Sequence, residues 1–247
     1  MPAYRWNTSD FASGYDAAAA TIHPRYREIQ SEILNLLPAP GIKHVLVVDL
    51  GGGSGRLIEL ILEHLPQATA LIIDQSEPFL ALAERRLARF GLRANCVLAR
   101  LQDDWHTHLP QPANAFVSMS AIHHLEPAEK AALYGRCCQH LAPGGVLLNG
   151  DEVRPPADSD YLVTLSNWAA HMRKEMAANT IPPAFHEALH GWIDRNVTRF
   201  GQPKKSGDDC HETIPAQLEY FRQSGFTTVD CPWQRDLWAI LRGIKII

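Results

Sequence analysis

The sequence predicts an α/β protein built on a seven-stranded, mostly parallel sheet that ends in an antiparallel hairpin, with helices on both faces. Over the first 150 residues, short and nearly continuous apolar runs alternate with amphipathic helical segments. That alternation is typical of a parallel sheet covered on both faces. Two further strand-like runs, around 227–231 and 237–241, are joined by a short link, which predicts a closing antiparallel hairpin.

Five strands are expected before the hairpin, at 44–49, 70–74, 95–98, 115–119 and 146–148. Ser76 is placed to cap the helix after the second strand, and Pro78 suits the first turn of that helix. Pro127 opens the helix after the fourth strand. A last helix, with Ile214 on its apolar stripe, is predicted to stop at Gly225.

Two helical segments lie outside this alternation. Residues 1–40 carry apolar side chains in helical register, and residues 158–200 are helical throughout except for a break at Pro182-Pro183. We therefore predict an N-terminal helical lid (1–40), a core formed by 41–157 and 201–247, and a helical insertion (158–200) that shapes a pocket.

Composition and charge exclude several classes of protein. The chain of 247 residues has 23 basic and 27 acidic side chains, a net charge of −4, and no basic stripe of the kind that binds nucleic acid. No apolar stretch reaches the roughly 20 residues of a membrane-spanning helix, and residues 1–6 lack a signal-peptide pattern. The five cysteines are odd in number and form no CxxC pair. We expect a cytoplasmic protein without nucleic-acid or membrane partners; the sequence leaves its oligomeric state open.

The strongest functional motif is the glycine-rich segment 49–55, DLGGGSG, between the first strand and the next helix. Glycines at such a turn let a ligand approach the main chain, and the helix that follows offers free N–H groups. A dinucleotide fingerprint fails because its third glycine would fall at Arg56, and a phosphate-binding P-loop fails because no lysine follows. The pattern that remains is acidic-x-Gly-x-Gly-x-Gly.

This spacing resembles the first motif of the class I S-adenosylmethionine-dependent methyltransferases. The stretches 118–125 (SMSAIHHL) and 141–148 (LAPGGVLL) resemble the fourth- and fifth-strand motifs of that family, and the closing hairpin is similar to its last two strands. The resemblance covers roughly 40–150 and 213–245. It implies a Rossmann-like fold, S-adenosyl-L-methionine as cofactor, and methyl transfer to a small-molecule acceptor shaped by the insertion.

The resemblance also implies which residues bind the cofactor. Asp74, at the end of the second strand, stands where the family places an acidic residue against the ribose hydroxyls. After the third strand the family often has an aspartate against the adenine amine; here Arg100 stands near that place, with Gln102 or Asp103 as possible substitutes. The expected cofactor-binding residues are Asp49, Gly51, Gly52, Gly53, Gly55, Asp74, Gln75, Leu101, Gln102, Asp103, Ser118 and Tyr15.

Histidines supply the candidate catalytic groups. His123 and His124 follow the fourth strand, at the carboxyl edge where open α/β sheets bind ligands. His211 belongs to the polar cluster 208–212 before the last helix. An imidazole, with an ordinary pKa of about 6.5, suits a general base. Packing and helix capping are the structural alternatives for all three.

The insertion supplies the predicted substrate-binding residues Trp168, His171 and Met172, which form an apolar lining with one polar group.

Two other functions stay open. A homologue of the same fold could bind the cofactor without transferring a methyl group. His186 and His190 form an HExxH pattern, which on a helix places two histidines on one face as a zinc enzyme requires. The chain has 12 histidines, so a chance match is the favoured interpretation and no metal is expected.

Overall fold

The computed structural model describes residues 6–38 and 44–246, and seven strands within them form one sheet. The strands are β1 (Leu46–Leu50), β2 (Thr69–Asp74), β3 (Ala94–Leu98), β4 (Ala113–Met119), β5 (Leu141–Glu152), β6 (Thr228–Arg235) and β7 (Trp238–Ile244). Their order is β3-β2-β1-β4-β5-β7-β6. The first five are parallel, and β7 is antiparallel to both β5 and β6, so the predicted fold class is confirmed.

Eight α-helices accompany these strands in the same described ranges. They are α1 (Ser9–Ile22), α2 (Tyr26–Leu36), α3 (Arg56–His64), α4 (Glu77–Leu87), α5 (Pro127–His140), α6 (Asp158–Ala177), α7 (His186–Ile193) and α8 (Ile214–Gln223). Ser76 caps α4 as predicted, because its hydroxyl accepts the Phe79 N–H at 3.4 Å. Gly225, at φ +94°, follows α8 as predicted. The insertion consists of α6, a short 3₁₀ turn at Pro183–Phe185, α7 and a π-helical turn at Asp194–Thr198.

One strand differs from its prediction. β5 begins at Leu141 rather than at 146 and runs through Gly144-Gly145. These glycines, predicted to lie in the connection before the strand, are part of β5, because the Gly144 N–H donates to the Lys245 carbonyl at 2.8 Å and the Lys245 N–H donates back to the Gly145 carbonyl at 3.0 Å. The main-chain pairing with the end of the hairpin is thereby extended.

The sheet has an apolar core on each face. Within β1, Val47 packs into one core and Val48 into the other. The first core includes Ile29 and Ile33 of α2 together with α3 and α4, while the second includes α5 and α8. Burial of both faces explains why the strands are apolar nearly without interruption.

The topology places the carboxyl ends of the five parallel strands at one edge. β1 lies between β2 and β4, so the strand order reverses between β1 and β4, and a crevice opens at the carboxyl ends of such strands. α1 contacts both α4 and α6 near this crevice. The predicted boundary between lid and core, at 40–41, lies outside the described residues. None of the helices in the described part of the chain is both long and apolar enough to cross a membrane.

Two glycines give opposite predictions for stability. A Cβ at Gly243 of β7 would lie 2.5 Å from Phe221 Cδ1 and 2.7 Å from Phe226 Cδ1, whereas a Cβ at Gly135 of α5 would meet no neighbouring atom closer than 3.9 Å. We expect Gly243→Ala to lower the free energy of unfolding by about 1–3 kcal/mol through overpacking. Gly135→Ala, the matched control, should raise it by about 0.5–1 kcal/mol. Urea denaturation of both variants measures this, and a neutral Gly243→Ala would contradict the packing described.

Candidate ligand site at the carboxyl edge of the sheet

The glycine loop after β1 makes a tight turn against the loop after β4. Gly51 has φ +73° and its N–H donates to the Ile73 carbonyl at 2.8 Å. A Cβ at Gly51 would lie 2.5 Å from the Cβ of Ala121, so only glycine fits. The loop therefore exposes main chain at the point where the strand order reverses.

Asp74 holds the other side of this loop. Its carboxylate accepts the Gly53 N–H at 2.9 Å and the Ser76 N–H at 2.8 Å. Burial raises the pKa of Asp74 to about 6, although these backbone donors act in the opposite direction. The carboxylate is thus fixed in place at the end of β2.

Asp49, at the end of β1, is the least compensated group of the site. It is 1% exposed, and neither carboxylate oxygen has a hydrogen-bond partner among the described residues. Burial, with the Asp74 carboxylate nearby, raises the pKa of Asp49 to about 8. A Cβ at Gly52 would lie 2.6 Å from one of its oxygens. A buried acceptor without a partner is costly, which indicates a place for a ligand that brings donors or positive charge.

A cavity of about 610 Å³ runs along this edge. Most of the predicted cofactor-binding residues line it: Tyr15, Asp49, Gly51, Gly52, Gly53, Asp74, Gln75, Leu101 and Gln102. His123, His124, Trp168 and Met172 line it too. The structure thus brings both predicted groups of residues to a single space.

Three predicted cofactor-binding residues do not line the cavity. Gly55 forms the left-handed N-cap of α3, with φ +78°. The Ser118 hydroxyl is buried and donates to the Leu50 carbonyl at 2.7 Å, joining β4 to β1. Asp103 is exposed, and its carboxylate accepts the Arg100 N–H at 3.1 Å. Gln102 does reach the cavity, while its amide donates to Glu129 at 3.1 Å.

The far part of the cavity is a chamber with aromatic walls, which we call the aromatic chamber. Its apolar lining comes from the N-terminal segment, α1, α6 and 185–192: Trp6, Phe11, Tyr15, Trp168, Met172, Phe185, Leu189 and Trp192. His171 is placed elsewhere. Its Nε2 lies 2.7 Å from the Thr21 carbonyl, beside a separate cavity of about 280 Å³.

A buried network of titratable groups forms the polar floor between the two parts. His123 Nδ1 lies 2.6 Å from Asp151 Oδ1 and 3.0 Å from Glu152 Oε2. Burial would lower the pKa of His123, but Glu152 and Asp151 outweigh it and raise that pKa well above its ordinary value. Burial would raise the pKa of Asp151, but His123 holds it well below the usual range. His123 and Asp151 therefore form an ion pair.

The other buried histidines around this floor are neutral. Burial, with His123 nearby, lowers the pKa of both His23 and His211 to about 3. His23 Nε2 lies 3.0 Å from the Tyr15 hydroxyl, and His211 Nδ1 lies 2.6 Å from the Tyr161 hydroxyl. His211 does not line the cavity, although its ring centroid is 5.2 Å from that of His123.

Two groups of side chains have ligand atoms close enough together to hold a metal ion among the described residues. They are His123, Glu152 and His211, and His123, His124 and Asp209. The HExxH histidines are in neither group. His190 is exposed, and His186 Nε2 lies 3.0 Å from the Ile181 carbonyl.

The sequence predictions missed Asp151 and Glu152. Both follow the apolar run of the fifth strand, at the same edge as Asp49 and Asp74. An acidic pair at the carboxyl end of a parallel strand was the available signal. His23, in the turn between α1 and α2, carries no comparable pattern.

Asp49 gives the site a testable pH dependence. Between the ordinary aspartate pKa of about 3.9 and the folded value of about 8, the folded protein keeps a proton that the unfolded chain releases, so stability falls as pH rises. Asp49→Asn removes this titration. We expect the variant, without ligand, to be more stable than the wild type at pH 8, by about 2 kcal/mol, with the gap closing toward pH 5.

Thermal melts at both pH values measure this gap. Glu84→Gln, an exposed acid-to-amide change, is the control and should show none. A gap that is equal at the two pH values would refute the raised pKa of Asp49.

Comparisons with known proteins agree with this fold and site. The profile of a family described as a methyltransferase domain matches residues 48–147. A trans-aconitate 2-methyltransferase from Acidovorax sp. (strain JS42) is 31% identical over 169 residues, covering 64% of this chain and 60% of that protein. The chain thus spans about 60% of the length of this curated relative.

The chain is also similar to a naphthoate O-methyltransferase and to a solved structure of an O-methyltransferase family protein. A 2,7-dihydroxy-5-methyl-1-naphthoate 7-O-methyltransferase from Streptomyces carzinostaticus is 33% identical over 104 residues, or 41% of this chain and 30% of that protein. The structure of an O-methyltransferase family protein from Burkholderia thailandensis superposes with a TM-score of 0.62 at 17% identity, covering 92% of this chain and 58% of that one. Together with the strand order and the glycine loop, these matches show a Rossmann-like fold of the kind found in solved methyltransferase structures, in which residues 48–147 match a methyltransferase domain.

Proposed function

We propose that the protein transfers the methyl group of S-adenosylmethionine to a small, largely apolar acceptor that carries a hydroxyl or amino group. The observation that carries this proposal is the single cavity that joins the glycine loop and its two carboxylates to the aromatic chamber. One half has the chemistry of a cofactor site and the other half that of a small-ligand pocket.

The residues at the glycine loop fit the cofactor. Asp74, fixed by two backbone donors, is suited to accept hydrogen bonds from the ribose hydroxyls. Asp49 offers a buried, unpaired carboxylate toward the cationic part of the molecule. Leu101 and Gln102 line the side where the adenine would lie. When bound, the cofactor supplies a methyl group already activated by its sulfonium; the chain binds, orients and excludes water.

The lid and the insertion shape the acceptor pocket. α1 contributes Phe11 and Tyr15, and the insertion contributes Trp168, Met172 and Trp192. α1 is held over the glycine loop by Asp16, which accepts from Arg56 Nε at 2.8 Å and from Arg86 at 2.9 Å. These walls support an acceptor of metabolite size.

The aromatic lining of the chamber supports a largely apolar acceptor over a polyanion such as trans-aconitate. The charges along the cavity do not decide between them, because the buried Glu152 and Asp209 are accompanied by Arg195 and Lys205. The similarity to trans-aconitate 2-methyltransferases therefore supports the reaction type more than the acceptor.

Asp74→Ala tests the cofactor assignment. Loss of a buried acceptor for the ribose hydroxyls should weaken binding of S-adenosylhomocysteine by about 1–3 kcal/mol, or roughly 5- to 150-fold, in isothermal titration. Asp103→Ala is the matched control, because Asp103 is exposed and does not line the cavity. Equal affinities for the two variants would contradict the assignment.

Trp192→Ala tests the acceptor pocket. Transfer of a tritiated methyl group is measured to a panel that holds catechol, 1-naphthol, aniline and trans-aconitate. For the acceptor that the wild type methylates, the variant should raise KM by about tenfold, because an aromatic wall is lost, with unchanged S-adenosylhomocysteine affinity.

The same experiment separates the alternative function. Tight binding of S-adenosylhomocysteine with no transfer to any acceptor of the panel would favour a cofactor-binding homologue that does not methylate. A fall in cofactor affinity in Trp192→Ala would contradict the division of the cavity into two parts.

A further inference from the structure

We propose that Glu152 is the group that removes the proton from the acceptor. This inference rests on the methyl transfer proposed above. It assigns removal of the proton to a glutamate rather than to one of the histidines that the sequence suggests. His123, Asp151 and Ser120 are then positioning residues that act through Glu152.

Glu152 has the placement that this role requires. It ends β5, is 1% exposed, and lines the same cavity as the glycine loop and the aromatic chamber. Its Oε1 accepts the Ser120 hydroxyl at 3.0 Å. Its Oε2 lies in ionic contact with His123 Nδ1 at 3.0 Å, but that ring nitrogen is hydrogen-bonded to Asp151, and Oε2 accepts no hydrogen bond among the described residues. One oxygen is therefore held by Ser120, while the other still has a lone pair for an acceptor's proton.

The backbone that holds Glu152 is strained. Ser120 has φ +56°, in the left-handed region that a serine rarely adopts, and its N–H donates to the Gly150 carbonyl at 3.0 Å. Such strain persists where surrounding contacts enforce it, and it clusters at functional sites. Here it directs the Ser120 hydroxyl at the carboxylate.

His123 is unsuited to the same task. Its Nδ1 is engaged by Asp151 at 2.6 Å, and its Nε2 lies 3.6 Å from Asp209. Surrounded by three buried carboxylates, the ring is held as an imidazolium, which has no free lone pair to accept a proton. Its positive charge instead balances Asp151, so that Glu152 faces a nearly neutral pair.

Apart from the His123–Asp151 ion pair, the titratable groups that face Glu152 from the packed elements carry no charge at neutral pH. They are Tyr15 of α1, His23 of the following turn, Tyr161 of α6 and His211 before α8. The tyrosines have raised pKa values, and His23 and His211 are neutral. Burial, only partly opposed by His123, raises the pKa of Glu152 to about 7, within the range of an efficient general base.

The step balances in protons and electrons. The acceptor's O–H or N–H proton passes to the Glu152 carboxylate, which becomes a neutral carboxylic acid. The freed lone pair on oxygen or nitrogen forms the new bond to the methyl carbon, and the electron pair of the broken S–CH₃ bond stays on sulfur. Solvent takes the proton from Glu152 after the products leave.

This role narrows the class of acceptor. A carboxylic acid is already ionised at neutral pH and needs no base. A phenol-type hydroxyl or an aromatic amine still carries its proton, and its ring fits the aromatic chamber. The geometry therefore favours aromatic O–H or N–H acceptors.

A carboxyl titration on the ligand-free protein tests the placement without any turnover. In protein labelled with ¹³C at the glutamate side chains, one carboxyl resonance should titrate near neutral pH and vanish in Glu152→Gln. Ser120→Ala, which removes one donor without leaving a buried charge, should move that titration to higher pH. If every glutamate titrates near the ordinary value of about 4.3, the proposal is overturned.

Turnover of a phenolic acceptor tests the role. Glu152→Gln should lower kcat by about 100-fold or more, Glu152→Asp should restore part of it, and S-adenosylhomocysteine affinity should not change. The wild-type rate should rise with pH as Glu152 loses its proton. In Ser120→Ala, the midpoint of this pH–rate profile should move to higher pH, as the Glu152 titration does. The exposed Glu84→Gln is the control that keeps wild-type turnover.

The outcomes separate the two proposals. Transfer that persists in Glu152→Gln but is lost in His124→Asn, together with its pH dependence, overturns the assignment of Glu152 and leaves the methyl transfer standing. Wild-type transfer to trans-aconitate alone, unaffected by Glu152→Gln, also overturns it. No transfer to any acceptor of the panel contradicts the proposed function itself.

Discussion

Four carboxylates are buried at one edge of the sheet, and the site is organised around the cost of keeping them there. Asp49, Asp74, Asp151 and Glu152 end β1, β2 and β5, and all are buried. Removing a carboxylate from water without compensation is expensive, so each must be paired, hydrogen-bonded or protonated. Asp151 is paired with His123, Asp74 takes backbone donors, and Asp49 and Glu152 have raised pKa values. Asp49 and Glu152 are thus the two carboxylates of this edge for which burial outweighs the contacts that favour the ionised form.

The helices that cover this edge are what makes the carboxylates costly. α1 packs over the loop and so keeps water away from them. Asp16 on α1 accepts from Ser54, Arg56 and Arg86, so the lid is tied to the glycine loop and to α4 by charged hydrogen bonds. Its aromatic side chains Phe11 and Tyr15 then pack against Phe185 in the 3₁₀ turn before α7. The glycine loop, α1 and the aromatic chamber are thereby packed together.

Some parts of the structure could be predicted from the sequence and others could not. The difference is whether the contacts that fix a part join residues close together or far apart in the sequence. The glycine loop, the Ser76 cap and the apolar strands depend on neighbours in sequence, so local patterns suffice. The direction of a side chain at a strand end depends on the neighbouring strand, because Ser118 of β4 donates to the Leu50 carbonyl of β1. His171 shares the helix of Trp168 and Met172 but faces Thr21. Residue type and spacing contain none of these long-range choices.

The histidine pair shows why charge balance decides a residue's role. From sequence, His123 is a natural general base because an isolated imidazole titrates near neutral pH. In the folded chain its two neighbours from β5 hold a proton on it, and the group with the near-neutral pKa becomes Glu152. When titratable groups share a low-dielectric site, their environments push their pKa values apart and thereby assign acid and base. The difference between the pKa values of His123 and Glu152 exists only once β4 and β5 are paired. Ser120 and His123 follow β4, and the pairing brings them into contact with Glu152 at the end of β5.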